Sequence, residues 1–215
     1  MIELVRVGKV FSGKRQVKAL EDVDLSIARG EMVSIVGPSG SGKSTLLNLI
    51  GGLDTPTSGQ IQIDGSRLSG LPDDDLTRMR RDKIGFIFQF HNLFESLTAI
   101  ENVQLALDLH SYSTREKRDR AAEILTKLGL EQRLHYKPSS LSGGQKQRVA
   151  VARALVNKPR IILADEPTAA LDKESGRIVV SLLQEHARAA ATIILVTHDN
   201  RILDVADRIV TLIDG

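Results

Sequence analysis

The chain has 215 residues, 41% of them apolar, which suits one large domain with a buried core and argues against disorder. Its 29 basic and 27 acidic residues leave a net charge of +2, which demands neither nucleic acid nor a charged membrane surface as a partner. The absence of cysteine excludes a disulfide framework and thiolate metal sites; Met1–Arg6 lacks the pattern of a secretory leader, and no window approaches the ~20 apolar residues that cross a bilayer.

The chain is therefore expected to stay in the reducing interior where it is made and to meet a membrane only through a partner. Short strands are predicted first, at 2–7, 23–27, 32–36 and 60–63, with turn signals at Arg29-Gly30 and Asp64-Gly65, as in an antiparallel sheet. Continuous apolar runs follow at 84–88, 161–164, 193–196 and 209–213, read as buried strands of a mostly parallel sheet. Helical patterns lie between them at 44–50, 115–128, 145–156 and 174–187, so the class is α/β. Residues 91–158 carry helices without a convincing strand and are read as a helical subdomain inserted between core segments 1–90 and 159–215. The stop at Asp214-Gly215, directly after the last predicted strand, leaves truncation open.

The first chemistry-bearing motif is Gly37-Pro38-Ser39-Gly40-Ser41-Gly42-Lys43-Ser44-Thr45, which satisfies G-x-x-x-x-G-K-[ST], follows a predicted strand and opens a helix. Its glycines let several backbone N–H groups face one phosphate chain, and the helix start adds a favourable dipole. Lys43 supplies positive charge to the β and γ phosphates, and the Ser44 hydroxyl is placed to ligate Mg²⁺. ATP and Mg²⁺ are the expected ligands.

Further along, Leu141-Ser142-Gly143-Gly144-Gln145 precedes an apolar helical pattern. Ser142 and Gln145 have the spacing of an ordinary capping box, while free glycine N–H groups at a helix start also suit an anion; both readings stand on spacing alone. The run Ile161-Ile162-Leu163-Ala164-Asp165-Glu166-Pro167 is a buried strand ending in two carboxylates, which a core strand does not carry for stability. Strand neighbours point to opposite faces, so both carboxylates reach one site only if the chain leaves the strand there, as Pro167 suggests. Asp165 is then the candidate for the Mg²⁺ shell and Glu166 for the general base acting on water.

Together these residues resemble the ATP-binding cassette (ABC) ATPases over essentially the whole chain, with Leu141–Gln145 similar to the family signature. The resemblance implies a P-loop cassette with a mixed sheet core, an antiparallel β part and an inserted helical subdomain. It also implies a head-to-tail dimer, taken here as a homodimer, in which Ser142, Gly143, Gly144 and Gln145 of one cassette meet the nucleotide on the phosphate loop of the other. It places Gln89 at Mg²⁺ and the attacking water, His198 at the γ phosphate, Asp172 in the loop that contacts the second cassette, and Phe11 near the stack on adenine. Locally read, Gln89 is a solvated strand end, His198 a structural histidine, Asp172 a favourable acid at a helix start and Phe11 a core residue. His91, His110, His135 and His186 receive no role.

The segment Phe88–Val103 concentrates apolar residues after Gln89, where the family receives a short helix of an integral membrane permease; Phe90, Leu93 and Phe94 are the expected lining beside Gln89. That segment, Asp199–Leu203, and Ala169, where many importers carry serine, look most like the export branch that serves lipoprotein release and macrolide, haem or glycolipid export. The chain is expected on the cytoplasmic face of an inner or plasma membrane, peripheral through its permease, with haem or another amphipathic molecule as the first expectation for cargo and no nucleic acid partner. Rival readings are a soluble ABC ATPase acting on DNA or the ribosome, which generally needs tandem cassettes or a long insertion, an importer ATPase, and a P-loop phosphotransferase, which needs no second phosphate clamp.

Overall fold

The computed structural model describes residues 1–13 and 16–213; Lys14, Arg15, Asp214 and Gly215, and with the last two the question of truncation, lie outside them. Strands β1 (Ile2–Phe11) and β2 (Val17–Ile27) form an antiparallel pair, with Ile2 opposite Ile27 and Phe11 opposite Val17. The pair runs further than the sequence pattern predicts. Register shifts between Leu4 and Val10 break the two-residue alternation by which a strand is recognised, while the ladder continues past them. On the other edge β1 pairs with β4 (Ser58–Ile63), which returns to the two-residue β5 (Ser66–Arg67) through Asp64 and Gly65, with φ of 50° and 78°. Two left-handed residues are what a tight hairpin turn requires, and Asp-Gly supplies them.

The second sheet is wholly parallel, in the order β6-β7-β8-β3-β9: β3 (Met32–Val36), β6 (Ile84–Ile87), β7 (Ile161–Asp165), β8 (Thr192–Val196) and β9 (Arg208–Thr211). Its continuous apolar runs follow from burial on both faces. Ile162, Ala164, Ile193 and Leu195 face a core shared with the helices, while Leu163, Ile194, Val196, Val33 and Ile35 face a second core shared with the antiparallel sheet. The expectation of a buried last strand is corrected: β9 ends at Thr211, pairs among the described residues with β3 alone, and leaves Ile209 50% exposed as an edge.

Helix α1 (Lys43–Ile50) buries Leu46, Leu49 and Ile50 in the core beneath the antiparallel sheet. Helix α2 (Asp73–Lys83) is not among the predicted segments, because it buries only Leu76; it carries three aspartates in its first turn and three bases in its last, which complement the helix dipole. Helices α3 (Ala99–Asp108), α4 (Thr114–Lys127) and α5 (Gly143–Leu155) pack on one another through Val103, Leu107, Leu125, Val149 and Ala152, and that cluster runs on into the parallel sheet and α6 (Lys173–Arg188). All three start with a reciprocal capping box, built on Thr98, Ser113 and Ser142. The short α7 (Asn200–Leu203) follows β8.

Adjacent in the sheet, β7, β8 and β3 bring their carboxyl ends together. The loops that leave them carry Glu166, His198 and Gly37–Gly42, at the place where open α/β sheets bind ligands.

Candidate active site

The loop after β3 turns through glycines that no other residue replaces without strain. Gly42, the residue before α1, has φ 92°, and a Cβ there would stand 2.3 Å from the carbonyl oxygen of Ala19. Gly37 has φ 153°, and its Cβ would meet the Leu212 carbonyl oxygen at 2.1 Å. No side chain caps the first turn of α1, so its N–H groups are left for a ligand. Lys43 folds back over the loop and its Nζ donates to Gly37 O at 2.9 Å, Pro38 O at 2.6 Å and Ser41 Oγ at 3.4 Å. The ammonium is thereby held at the mouth of the loop, surrounded by acceptors that a phosphate oxygen can replace.

Ser44 reaches across to β7, its Oγ donating to Asp165 Oδ2 at 2.6 Å. Beyond Asp165 the chain leaves the strand: Glu166 has φ 48°, and its N–H donates to Val196 O at 2.8 Å. That single left-handed residue brings two successive carboxylates into one cleft, as the acidic strand end and Pro167 suggest. Burial pushes the Glu166 carboxyl above the ordinary carboxylate range; the charge of Asp165 acts in the same sense, against the opposing pull of His198 and a hydrogen bond from Thr197. His198 Nε2 lies 3.8 Å from Glu166 Oε1, and Thr197 Oγ1 donates to Glu166 Oε2 at 3.4 Å.

Lys43, Ser44, Gln89, Asp165, Glu166 and His198 line one cleft of 390 Å³, together with Ser39, Gly40, Gly42 and Thr45. Its volume lies in the range usual for small-molecule sites. A larger concavity of 560 Å³ between α4, α5 and α6 is lined by none of the residues given a role in the sequence. Phe11 is 43% exposed at the end of β1, which rules out the core-packing alternative; it stands outside the cleft lining, with Lys9 Nζ 5.0 Å from its ring centroid.

Ser142–Gln145 contribute nothing to the cleft of their own chain. Ser142 and Gln145 form the reciprocal cap, with Ser142 N donating to Gln145 Oε1 at 2.9 Å and Gln145 N to Ser142 Oγ at 3.3 Å. Ser142 and Gly143 are exposed, and a Cβ on Gly143 would meet nothing. The two glycine-rich helix starts therefore do not share a ligand within one chain.

The ABC transporter family profile matches residues 20–169. The chain belongs to the ABC transporter family. It is 50% identical, over its full length and 94% of the relative's, to the uncharacterized ABC transporter ATP-binding protein MJ0796 of Methanocaldococcus jannaschii. A dimeric structure of that cassette in a post-hydrolysis state, bound to ADP and Pi, superposes with a TM-score of 0.96 over all of this chain and 95% of the other, at 49% identity. The chain is also 49% identical, over 97% of its length, to the macrolide export ATP-binding/permease protein MacB of Bartonella henselae, of which it spans about a third (32%). It is an ATP-binding, ATP-hydrolysing cassette of that family.

On the cassette's flank, a groove of 370 Å³ runs between α2, β6 and α3. Of Phe90, Leu93 and Phe94, Phe94 lines this groove; Leu93 packs on the helical core, and Phe90, 77% exposed, stands outside. Phe86 and Phe88, stacked at 5.4 Å, form its wall with Leu105 and Leu109. The loop above it is pinned from within by the fully buried Asn102, whose amide accepts from Phe94 N and donates to the carbonyls of Phe94, Leu97 and Thr98.

Sequence reasoning missed three residues that hold the cleft. Thr168 Oγ1 donates to Asp199 Oδ2 at 2.6 Å, Gln147 Nε2 donates to Pro167 O at 3.2 Å, and Thr197 holds Glu166. All three are buried polar residues, and a polar position inside an apolar pattern was the one signal available.

Proposed function

We propose that two copies of this cassette close head to tail on ATP, drive a membrane permease by closing, and reset after hydrolysis by water that Glu166 activates. The observation that carries this is the division of labour in one chain: Lys43, Ser44, Asp165, Glu166 and His198 line the cleft, while Ser142–Gly144 lies outside that lining with Ser142 and Gly143 exposed. A partner's signature supplies the missing wall. The MJ0796 cassette is dimeric in its ADP and Pi structure, which supports the same assembly here. Residues 91–158 are taken as the helical subdomain that turns against core segments 1–90 and 159–215; among the described residues they contain no strand.

Mg²⁺ fits the residues present. The Ser44 hydroxyl and Asp165 carboxylate, 2.6 Å apart, give one or two hard oxygens, which is what this ion takes from protein when phosphates and water complete its shell; Gln89 lies in the same cleft. Bound there, the ion supplies charge neutralisation to the β and γ phosphates. Glu166 accepts a proton from the attacking water, and the burial that raises its affinity for protons favours that role. His198, with Nε2 3.8 Å from Glu166 Oε1, faces the same cleft, and Phe11 is an exposed ring available to adenine.

Export is the favoured direction, with an amphipathic cargo of the macrolide or haem class, because the MacB relatives join a cassette of this kind to a permease. The flank groove, with Phe94, Phe86 and Phe88 in its wall and Gln89 and Phe90 beside it, is the surface for a short permease helix, which holds the cassette to the cytoplasmic face. No helix among the described residues is long and apolar enough to cross a membrane. A cassette that co-purifies with ribosomes or DNA instead of a permease overturns the transport reading.

Glu166→Gln tests the chemistry. Nucleotide binding is retained, kcat falls about 10²- to 10⁴-fold, and closed dimers accumulate with ATP in size-exclusion chromatography. Unchanged turnover removes Glu166 as the base.

A further inference from the structure

Behind the cleft, one arginine ties together three segments that the reaction must keep in register. Arg201, in α7, grips the carboxylate of Asp199, with Nε 2.9 Å from both oxygens and Nη2 2.5 Å from Oδ2. Its remaining nitrogen, Nη1, donates to the carbonyls of Asp172 at 3.3 Å and Lys173 at 3.1 Å, at the start of α6. The guanidinium sits in a notch that exists because residue 176 is glycine: a Cβ there would stand 2.1 Å from Nη1. Asp199 accepts in turn from Thr168, two residues after Glu166, and its N–H donates to Thr197 Oγ1 at 3.0 Å. Thr197 closes the circuit on Glu166 itself.

We infer that the Arg201–Asp199 pair is a positioning latch: it fixes the loop bearing His198 against Glu166 and joins both to the loop 169–172. The inference rests on the reading of Glu166 as base and of that loop as facing the second cassette. The forked geometry supports it. A guanidinium that needed only to neutralise a carboxylate would not also span two backbone carbonyls on another element. The Asp199 carboxyl is held down at about 2, chiefly by its hydrogen bonds from Arg201, so it stays an acceptor at working pH. Ala169, Ala170 and Asp172 are exposed at the far end of the circuit, where a second chain closing on the loop can press on it. Through Asp199 and Thr168, that pressure reaches the spacing between His198 and Glu166.

Steady-state ATPase assays on Arg201→Ala, Gly176→Ala and the double variant test this. Gly176→Ala is the decisive substitution, because it evicts the guanidinium while retaining its charge, and alanine inside a helix does not weaken the helix. Each single variant is expected to lose about tenfold in kcat, since small displacements of reacting groups have effects of this size or larger. KM for ATP stays within about twofold, because nucleotide binding is untouched. The double variant falls no further than Arg201→Ala alone, both changes having opened the same latch. Unchanged kcat, a loss carried by KM, or losses that multiply in the double variant overturn the latch. A variant of Arg201 that fails to fold leaves Gly176→Ala to decide. Glu166→Gln run alongside separates the two readings: if it is inactive while the latch variants are normal, only the latch falls; if it stays active, the base assignment falls.

Discussion

The two glycine-rich helix starts of this cassette look alike in sequence and are built in opposite ways. At α1 the residue before the helix is Gly42 in a left-handed conformation with no side-chain cap, wedged against the Ala19 carbonyl, and the first-turn N–H groups open into a cleft of their own chain. At α5 the residue before the helix is Ser142 in an extended conformation, the cap is reciprocal with Gln145, and the neighbouring Gly143 has open space around it. The first glycine is required by backbone geometry. The second has open space around it among the described residues, which is compatible with the head-to-tail partner proposed above.

Substituting the same residue at both starts should break the comparison if it is false. Gly42→Ala forces a left-handed alanine into the Ala19 carbonyl and should cost about 3 kcal/mol in thermal or urea denaturation, with nucleotide binding lost. Next in size, Lys43→Ala should weaken ATP binding by about ten- to a hundredfold, read by titration with a fluorescent nucleotide, since a charge-assisted phosphate contact contributes about 1.5–3 kcal/mol. Gly143→Ala should leave the fold as stable or gain up to ~1 kcal/mol, bind nucleotide normally as a monomer, and lose about tenfold in turnover through failed closure. Full turnover in that variant would return α5 to an ordinary helix start. The smallest effect sharpens the contrast: Ser142→Ala removes a cap that α1 never had and should cost about 1 kcal/mol of stability without changing monomer affinity for ATP.

The parts of the site legible in sequence were those whose chemistry is contiguous. Gly37–Thr45 and Asp165-Glu166-Pro167 announce themselves because backbone geometry and charge are written in successive residues, and the left-handed Glu166 shows how two neighbouring carboxylates share a cleft. The latch was illegible, since Thr168 and Asp199 lie 31 residues apart and meet only because β7 and β8 are neighbours. Residue type does not separate Phe90, Leu93 and Phe94, yet Leu93 packs partly on the helical core while Phe90 and Phe94 are exposed, in a loop that Asn102 ties down at Phe94 and Leu97. Helix α2 escaped because its order comes from charge at both ends instead of an apolar stripe. The composition of the last strand predicts burial, and its edge position follows from topology, which local composition does not encode.

The bond from Gln147 Nε2 to Pro167 O fastens the first turns of α5 to the bend that presents Glu166. In the head-to-tail pair proposed above, α5 would face the neighbour's nucleotide while the bend serves the chain's own. The bond would then span two different molecules of ATP, and the occupancy of one site would bear on the geometry of the other.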